Sequence, residues 1–225
     1  MAVAARSSPP VVFLMGPPGS GKGTQVAALE REFGFEGIDT GALLRALSKE
    51  DSSVGRRVKA LMDTGRFAPS PLVAELVTGR VRRFLREGKA VALEGSPRTL
   101  HEAEVLLSGL RADGMNRVLV VFLDVPKAQT VQRIMERWVC EGCQRSTMLS
   151  ADAPEGCADC GGKLVRRADD TPEVAEKRWE EYTFRTLPVI RFFERQGLVV
   201  RVESHRSISE VTHRVHTAVR QRLGL

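Results

Sequence analysis

The chain has 225 residues, 42% of them hydrophobic, and a formal net charge of +6. This length suits one main domain with a buried core and space for a small insertion, and the basic balance suits partners rich in phosphate. Aromatic residues make up only 5% of the chain, and no apolar run approaches the roughly 20 residues of a membrane span, which disfavours base stacking on single-stranded nucleic acid and insertion into a membrane.

The first ten residues contain no long apolar stretch like that of a secretory signal. We expect residues 1–10 to form a short disordered tail. All four cysteines fall between Cys140 and Cys160, which leaves none for disulfide bonds elsewhere. A cytoplasmic protein is the simplest interpretation, because stable disulfide bonds belong to oxidising compartments.

A glycine-rich segment, Gly16 to Thr24, follows the apolar run Val11–Met15. It reads Gly-Pro-Pro-Gly-Ser-Gly-Lys-Gly-Thr, which is the P-loop pattern with one additional glycine between Lys22 and Thr24. Glycines let backbone N–H groups turn onto phosphate oxygens, and the N-terminus of the following helix adds partial positive charge. We predict that Lys22 binds phosphate and that the Thr24 hydroxyl binds Mg²⁺. An ordinary turn is the alternative, and the strand before and helix after disfavour it.

Short apolar runs alternate with helical patterns along the rest of the chain. The predicted strands lie at 11–15, 35–38, 90–93, 118–123 and 198–202, and the predicted helices begin near residues 22, 40, 54, 71, 99, 126, 172 and 207. The helix that begins near 126 is expected to reach Arg137, and the one at 172 to reach about Gln196. Such alternation predicts an α/β fold with a parallel sheet covered by helices on both faces.

Charged residues at two places in the sequence suggest phosphate chemistry. Glu94 ends a buried strand opposite the glycine loop, where a carboxylate is well placed to hold a water on Mg²⁺. Arg133 and Arg137 are four residues apart, which puts them on one face of the predicted helix. Like charges so spaced repel unless an anion lies between them, so this pair favours phosphate binding. Arg45, one turn inside a helix, is by itself more typical of a solvated surface.

The four cysteines form two C-x-x-C pairs, Cys140 with Cys143 and Cys157 with Cys160. Thirteen residues separate the pairs, slightly fewer than the roughly 15–20 typical of zinc sites with this pattern. Four thiolates fit a closed tetrahedral zinc site that has no open position for catalysis. A redox motif or two disulfide bonds is the alternative. Because the insertion is polar, a metal would supply much of its folding energy.

In this order and spacing, the motifs resemble adenylate kinase, within the nucleoside monophosphate kinases, and more narrowly its long form with a zinc-binding lid. The resemblance runs from Val11 to about Leu223. The matching pieces are Gly16–Thr24, Thr40-Gly41 with Leu44-Arg45, Met62-Asp63 with Gly65 and Pro69, Gly95 with Pro97-Arg98-Thr99, Arg133 with Arg137, the two cysteine pairs, Arg167 with Asp169-Asp170, and Arg178.

The resemblance implies a P-loop kinase fold with a five-stranded parallel sheet flanked by helices. Its core would comprise residues 11–137 and 169–225. A monophosphate-binding segment would span residues 40–77, with a helical flap from Val54 to about Val77. Residues 138–168, called the lid from here on, would form the zinc-binding insertion.

The resemblance also implies a role for individual residues. ATP would be bound by Gly19, Ser20, Gly21, Lys22, Gly23, Thr24, Arg137, Ser146, Thr147 and the backbone at Arg206. The acceptor monophosphate would be bound by Thr40, Arg45, the backbone of Arg66, Phe67 and Ala68, and by Gly95, Ser96, Pro97, Arg98, Glu102, Arg167 and Arg178. The catalytic cations would be Lys22, Arg98, Arg133, Arg137, Arg167 and Arg178, with Mg²⁺ near Thr24 and, through water, Glu94.

The implied reaction is reversible phosphoryl transfer from MgATP to AMP, which yields two ADP. The acceptor oxygen is already anionic, so the reaction requires cancellation of charge and no general base. Mg²⁺ and a structural Zn²⁺ are the implied cofactors. The expected protein is a monomer with no specific nucleic-acid or membrane partner.

At four positions the sequence departs from the family pattern: Ala42 and Glu94 each stand where Asp is usual, Ser96 where Phe is usual, and Glu102 where Gln is usual. The Gln of the family pairs with adenine, whereas an ionised carboxylate only accepts hydrogen bonds. Guanine presents two donors that would match Glu102. One hypothesis is therefore that acceptor choice is relaxed or shifted toward GMP, and the alternative, which we favour, is that AMP remains preferred.

Two other classes of protein share part of this pattern. A different P-loop enzyme, such as a shikimate or gluconate kinase-like protein, is disfavoured by Arg45, Arg98 and the cysteine-rich lid. A zinc ribbon that binds nucleic acid would explain the cysteines and the basic charge, but it would not explain the glycine loop.

Overall fold

A computed structural model describes residues 8–148, 156–167 and 169–225. Within these ranges the strands are β1 (Val11–Met15), β2 (Glu36–Asp39), β3 (Val91–Glu94), β4 (Val118–Asp124), β5 (Arg137–Cys140), β6 (Ser146–Met148), β7 (Leu164–Val165) and β8 (Val199–Glu203). The helices are α1 (Lys22–Phe33), α2 (Thr40–Leu47), α3 (Ser53–Asp63), α4 (Ser70–Arg86), α5 (Leu100–Ala112), α6 (Lys127–Met135), α7 (Pro172–Glu181), α8 (Leu187–Glu194) and α9 (Ile208–Leu223).

Five strands form one parallel sheet in the order β2-β3-β1-β4-β8, which confirms the predicted fold class. Strand β1 lies between β3 and β4, with Val11 beside both Val91 and Val118. All five residues of β1 are buried because helices cover both faces of the sheet, and this explains its continuous apolar run. The carboxyl ends of β1 and β3 therefore meet at one edge, where the glycine loop and Glu94 follow them.

Two apolar layers hold the helices against the sheet. On one face, Phe13 of β1 packs with residues of α4, α5 and α8, and its ring centroid lies 5.8 Å from that of Phe193. On the other face, Leu14 packs with α1 and α9, including Leu29 and Val215. Alternate residues of β1 thus anchor opposite layers, so the strand that leads into the glycine loop is held from both sides.

Helix α6 ends earlier than the sequence predicts. Its last residue is Met135, and Arg137 begins strand β5, so the prediction that Arg133 and Arg137 share one helical face is wrong. The residues after Arg137 are Trp138 and Val139, which favour strands and pair with β6 and β7. Arg133 therefore comes from a helix and Arg137 from the base of the lid.

The predicted long helix after residue 172 is interrupted. A π-helical turn, Tyr182–Thr186, separates α7 from α8. Pro188 in the first turn of α8 explains the interruption, because proline has no N–H and its ring would clash with the carbonyl four residues earlier in a regular helix. Single π-helical turns recur at functional sites, and this one lies beside the cleft described below.

The lid contains its own small antiparallel sheet, in the order β6-β5-β7. Among the described residues of the lid, the buried core consists of Cys140, Cys157 and Leu164, with Trp138 and Cys143 packed against it. So small an apolar cluster supplies little folding energy, which agrees with the expectation that a metal stabilises the insertion.

Part of the predicted tail contacts the core. The Pro10 carbonyl accepts a hydrogen bond from Val91 N–H (3.0 Å), and the Ser8 carbonyl accepts one from Arg117 (3.1 Å). Residues 1–7 of the predicted tail lie outside the described residues. No helix in the described parts of the chain combines the length and the apolar character that crossing a membrane requires.

Candidate active site

One cleft of about 860 Å³ lies at the carboxyl edge of the parallel sheet. The glycine loop, the segment from α2 to α4, the end of β3, the lid and α7 all contribute to its walls. The predicted site residues that line it are Gly19, Gly21, Lys22, Gly23, Thr24, Arg45, Arg66, Phe67, Ala68, Glu94, Gly95, Ser96, Pro97, Arg98, Arg133, Arg137, Cys143, Ser146, Cys160, Arg167 and Arg178.

Five residues that are predicted to bind a nucleotide lie outside this lining. Ser20 and Thr40 are buried immediately behind it, at the glycine loop and at the start of α2. Thr147 is exposed on β6, and Arg206 is exposed after β8, where Glu203 and Glu210 are its ion-pair partners. Glu102 is buried in α5 and is described separately below.

The glycine loop holds its lysine in a fixed position. Gly21 precedes α1 with a φ of 88°, a left-handed conformation that a side chain would strain. Lys22 Nζ donates hydrogen bonds to the carbonyl oxygens of Gly16 (3.1 Å) and Pro17 (2.8 Å), which brings the ammonium group back over the loop. Ser204 Oγ donates to the Ser20 carbonyl (2.8 Å) and ties the loop to the chain after β8. Burial lowers the pKa of Lys22, and the negative charge of Glu94 opposes that shift.

Oxygen ligands suited to Mg²⁺ lie beside the loop. Thr24 and Glu94 both line the cleft, and a Cβ atom placed on Gly23 would be 2.7 Å from Glu94 Oε1. The glycine between Lys22 and Thr24 thus leaves room for the longer side chain of Glu94. Burial raises the pKa of Glu94, and the nearby carboxylate of Asp39 raises it further. A hydroxyl and a carboxylate next to a phosphate-binding loop fit Mg²⁺, which prefers oxygen ligands.

Two arginines, Arg137 of β5 and Arg178 of α7, share the buried carboxylate of Asp170. Arg137 Nε donates to Asp170 Oδ2 (2.8 Å), and its Nη2 contacts Oδ1, so the contact is bidentate. Arg178 Nη1 also donates to Asp170 Oδ1 (3.0 Å) and pairs with Asp169 through Nη2. The two guanidinium groups come from different elements, and the carboxylates fix their positions relative to each other.

The cations are close enough to disturb one another. Burial and then the positive charges of Arg137 and Arg45 lower the pKa of Arg167 to about 10. Burial also lowers the pKa of Arg133. Each arginine still carries its charge near neutral pH, so the cleft concentrates positive charge that a polyanion would neutralise.

Two further arginines of the cleft, Arg45 and Arg98, belong to α2 and to the loop after β3. Arg45 Nη2 pairs with Asp39 Oδ2 at 3.0 Å. The Arg98 guanidinium lies over the Phe67 ring, 4.9 Å from its centroid, and Thr186 Oγ1 of the π-helical turn donates to the Arg98 carbonyl (3.2 Å). The buried Thr40 hydroxyl has no hydrogen-bond partner within the described chain, so it is available to a bound anion.

The Glu102 carboxylate faces its own loop. Its Oε2 atom accepts hydrogen bonds from Ser96 Oγ (3.0 Å) and Arg98 N–H (2.9 Å), and its Oε1 atom accepts one from Thr99 Oγ1 (3.2 Å). The side chain is 2% exposed and is not part of the cleft lining among the described residues. The base contact that the resemblance implies would require the carboxylate to leave these donors.

The four cysteine sulfur atoms lie within 4.8 Å of one another. The Sγ atoms of Cys140 and Cys160 are 3.5 Å apart, and those of Cys143 and Cys157 are 3.7 Å apart. Zinc–sulfur bonds of about 2.3 Å in a tetrahedron require sulfur separations of about 3.8 Å, so the group fits zinc. A Cβ atom on Gly162 would be 2.8 Å from the Cys140 sulfur, which explains a glycine at that position.

Sequence reasoning missed several residues that hold the arginines. In the sequence, Asp170 is part of a motif without an assigned role, and Asp39 lies just before a predicted helix. Thr186 was missed because the residues around it resemble a continuous helix, although the nearby Pro188 signals an irregular turn. These residues act through contacts that form only in the folded chain, and such contacts leave little pattern in the sequence.

A family model described as adenylate kinase matches residues 14–198 of the chain. The chain belongs to the adenylate kinase family. It is similar to an adenylate kinase of Chlamydia pneumoniae, with 39% identity over 194 residues that cover 86% of this chain and 90% of that protein. It is also similar to the adenylate kinases of Streptomyces avermitilis (35% identity, 93% of this chain and 97% of that protein) and Pyrococcus abyssi (32% identity, 91% and 93%).

Membership of the adenylate kinase family makes the protein a phosphotransferase with nucleoside monophosphate kinase activity. The four-cysteine cluster agrees with the long form of the family, in which the lid is rich in cysteine. Enzymes of the adenylate kinase family use Mg²⁺, for which the cleft provides fitting ligands at Thr24 and Glu94.

Proposed function

We propose that this enzyme transfers the γ-phosphoryl group of MgATP reversibly to AMP, which yields two ADP. The observation that carries the proposal is that the glycine loop, Arg45 and Arg98 all line one cleft. Arginines from the lid side and from α7 line the same cleft. A nucleotide on each side would bring its phosphates together among these cations, which is the arrangement that phosphoryl transfer between two polyanions needs.

On the donor side, we assign the ATP phosphates to the backbone N–H groups of residues 19–24 and to Lys22. The N-terminus of α1 adds its partial charge at the same place. Thr24 and, through water, Glu94 would hold Mg²⁺. When bound there, Mg²⁺ supplies charge neutralisation between the β- and γ-phosphates.

On the acceptor side, we assign the AMP phosphate to Arg45, Arg98 and the unpartnered Thr40 hydroxyl. Arg45 is held by Asp39 in the structure, and Arg98 is held by Phe67 and Thr186. The planar guanidinium group presents paired donors that match phosphate oxygens, which an ammonium group does not. The acceptor oxygen is anionic before attack, so no side chain is required to remove a proton.

The group in transfer is assigned to Arg133, Arg137, Arg167 and Arg178. Developing charge in the transition state is stabilised most by donors that are already in position. Asp170 fixes Arg137 and Arg178 in this way. Closure of the lid and of the flap at 54–77 over bound nucleotides would exclude water, which otherwise would accept the phosphoryl group.

The cysteine cluster is proposed to hold a structural Zn²⁺. All four thiolates would be ligands, which leaves no position for a substrate or a reactive water. The metal would stabilise the lid and have no part in the reaction itself. We also propose that the enzyme acts as a monomer.

A coupled assay of diphosphate formation tests the proposed function. Purified protein is given MgATP and, in separate reactions, AMP, GMP, CMP or UMP. We expect the highest kcat/KM with AMP. A higher value with GMP would favour the alternative acceptor. Protein that binds ATP but transfers phosphate to none of the four monophosphates would contradict the proposal.

A further inference from the structure

Glu102 is a buried carboxylate for which the proposed reaction has no direct use in this conformation. It accepts three hydrogen bonds, from the Ser96 hydroxyl, the Arg98 backbone N–H and the Thr99 hydroxyl. Its own N–H donates to Thr99 Oγ1 (3.2 Å), which caps helix α5. The carboxylate is therefore part of the turn that connects β3 to α5.

Ser96 and Glu102 are two of the four positions at which the sequence departs from the family pattern, where Phe and Gln are usual. In the structure the two side chains are bonded to each other, at 3.0 Å. A phenylalanine at position 96 would provide no donor to the carboxylate. The two departures thus form one unit, and the serine hydroxyl provides a polar partner that a buried carboxylate needs.

The turn that Glu102 braces carries Arg98. The Arg98 backbone is held at both ends of the residue, because its N–H donates to Glu102 (2.9 Å) and its carbonyl accepts from Thr186 (3.2 Å). Its guanidinium group lies over Phe67. Burial lowers the pKa of Arg98, and Glu102 is the strongest charge that opposes this shift. The carboxylate therefore acts on Arg98 through both a hydrogen bond and its charge.

Rotation of Glu102 toward the cleft would break these contacts. Ser96 is 2% exposed, so its hydroxyl would become a buried donor without an acceptor. The Arg98 N–H would lose its acceptor as well. A buried donor left without a partner costs about 1–3 kcal/mol. The loss of both hydrogen bonds would cost more free energy than hydrogen bonds from the carboxylate to a base would return, because those bonds only replace hydrogen bonds to water.

We propose that Glu102, with Ser96 as its partner, is a positioning residue that fixes Arg98 for the acceptor phosphate and does not select the acceptor base. This inference rests on the proposed function, since it assigns Arg98 to the acceptor. Base selectivity then depends on other parts of the cleft. An enzyme with this turn prefers the same acceptor whether residue 102 is a carboxylate or an amide.

Steady-state kinetics of Glu102→Gln test the proposal. An amide carries no charge and has one acceptor oxygen in place of two, so it holds the three donors less strongly, and the KM for AMP is expected to rise about tenfold, which corresponds to about 1.4 kcal/mol. The KM for ATP should change less than about twofold, because the donor side is not braced by this turn. The ratio of kcat/KM for AMP to that for GMP should stay within about twofold of the original value. Glu104→Gln, an exposed carboxylate on the same helix, is the matched control and should leave all values unchanged.

Two serine variants separate the hydroxyl from the volume of the side chain. Ser96→Ala removes the donor to Glu102 and should raise the KM for AMP by about threefold to tenfold, whereas Ser96→Thr keeps a hydroxyl and should restore most of the affinity. In the Glu102→Gln background, Ser96→Ala should add little, because the contact is already weakened. Equal and independent effects in both backgrounds would contradict a joint role.

A measurement made without nucleotide tests the contact between Glu102 and Arg98 separately from catalysis. Hydrogen exchange of the Arg98 backbone amide, followed by NMR, should accelerate about tenfold in Glu102→Ala and not in Glu104→Ala. An unchanged exchange rate would overturn the proposal, as would a tenfold or larger change in the AMP to GMP ratio in Glu102→Gln with the KM for AMP intact. If exchange accelerates but the original enzyme phosphorylates no monophosphate, the brace on Arg98 stands and the proposed function fails.

Discussion

Asp170 illustrates how single residues prepare the cleft for anions. Only 3% of its side chain is exposed, and it contacts both Arg137 and Arg178. One carboxylate between two guanidinium groups reduces their repulsion and holds their donors in fixed directions. Because the donors do not reorganise during the reaction, they stabilise transition-state charge more effectively than mobile side chains would.

Asp170→Asn tests how strongly catalysis depends on the carboxylate that orients Arg137 and Arg178. The amide keeps one acceptor oxygen but removes the charge shared by Arg137 and Arg178, so kcat should fall about tenfold to a hundredfold. The KM for ATP should rise less, because the cleft becomes more positive overall. Steady-state kinetics with varied ATP provide the measurement. Asp113→Asn, which removes a half-exposed partner of Arg82, is the control and should have almost no effect. An unchanged kcat in Asp170→Asn would contradict the role given to this carboxylate.

The effects of substitutions at Gly23 and Glu94 on kcat/KM for MgATP should be coupled. In Gly23→Ala the new Cβ atom would lie 2.7 Å from Glu94 Oε1, so the carboxylate must move away from its position beside residue 23. We expect kcat/KM for MgATP to fall about tenfold in this variant. The shorter side chain in Glu94→Asp should recover most of that loss in the double variant while changing the original enzyme little. Titration with Mg²⁺ at fixed ATP measures the effect, and a double variant no better than Gly23→Ala would show that the two residues are not coupled.

At the scale of elements, the cleft is built from places where regular structure ends. Helix α6 stops at Met135 and Arg137 begins strand β5, and α7 gives way to a π-helical turn that directs Thr186 toward Arg98. Both interruptions have a cause in neighbouring residues, which are strand-forming in the first case and include Pro188 in the second. Irregular ends thus supply groups from several elements to one site.

The lid should lose its structure when its metal is removed. Protein purified without added zinc is expected to contain close to one zinc per chain. A strong chelator should remove it and change the fluorescence of Trp138, which packs against the cysteine cluster. Trp179 lies on α7 outside the lid, so Trp138→Phe identifies the signal from the lid. Protein that contains no zinc and whose four cysteine thiols all react freely would contradict this prediction.

Gly162→Ala tests the geometry of the same site without the loss of a ligand. Its Cβ atom would lie 2.8 Å from the Cys140 sulfur and must displace it. Zinc affinity, measured by competition with a chelator, should fall about tenfold or more. Gly142→Ala is the matched control, because its Cβ atom would be 3.6 Å from the nearest cysteine sulfur, an ordinary contact.

At the scale of the whole molecule, much of the fold can be predicted from the sequence because the signals are local. The apolar runs Val11–Met15 and Val118–Leu123 predict buried parallel strands, and the glycine loop predicts the phosphate site between β1 and α1. The direction of Glu102 could not be predicted, because it depends on donors from Ser96 and Arg98 that the fold brings to it. For the same reason the joint use of Asp170 by Arg137 and Arg178 required the structure.

The two halves of the cleft should bind one bridged ligand better than either nucleotide alone. A bisubstrate analogue that joins ATP and AMP through a continuous phosphate chain would contact the glycine loop, the arginines around Asp170, and Arg98 at once. A single molecule then makes both sets of contacts but loses translational and rotational freedom only once. A ligand at a hundred times its Kd stabilises the folded state by about 2.7 kcal/mol, and a chain of this length gains about 2–4 °C in Tm per kcal/mol. At equal concentration the analogue should therefore raise Tm several degrees further than ATP does, and added salt should reduce the difference by screening the arginines. An analogue that stabilises no more than ATP would mean that the arginines of the two sides do not serve one pair of adjoining nucleotides.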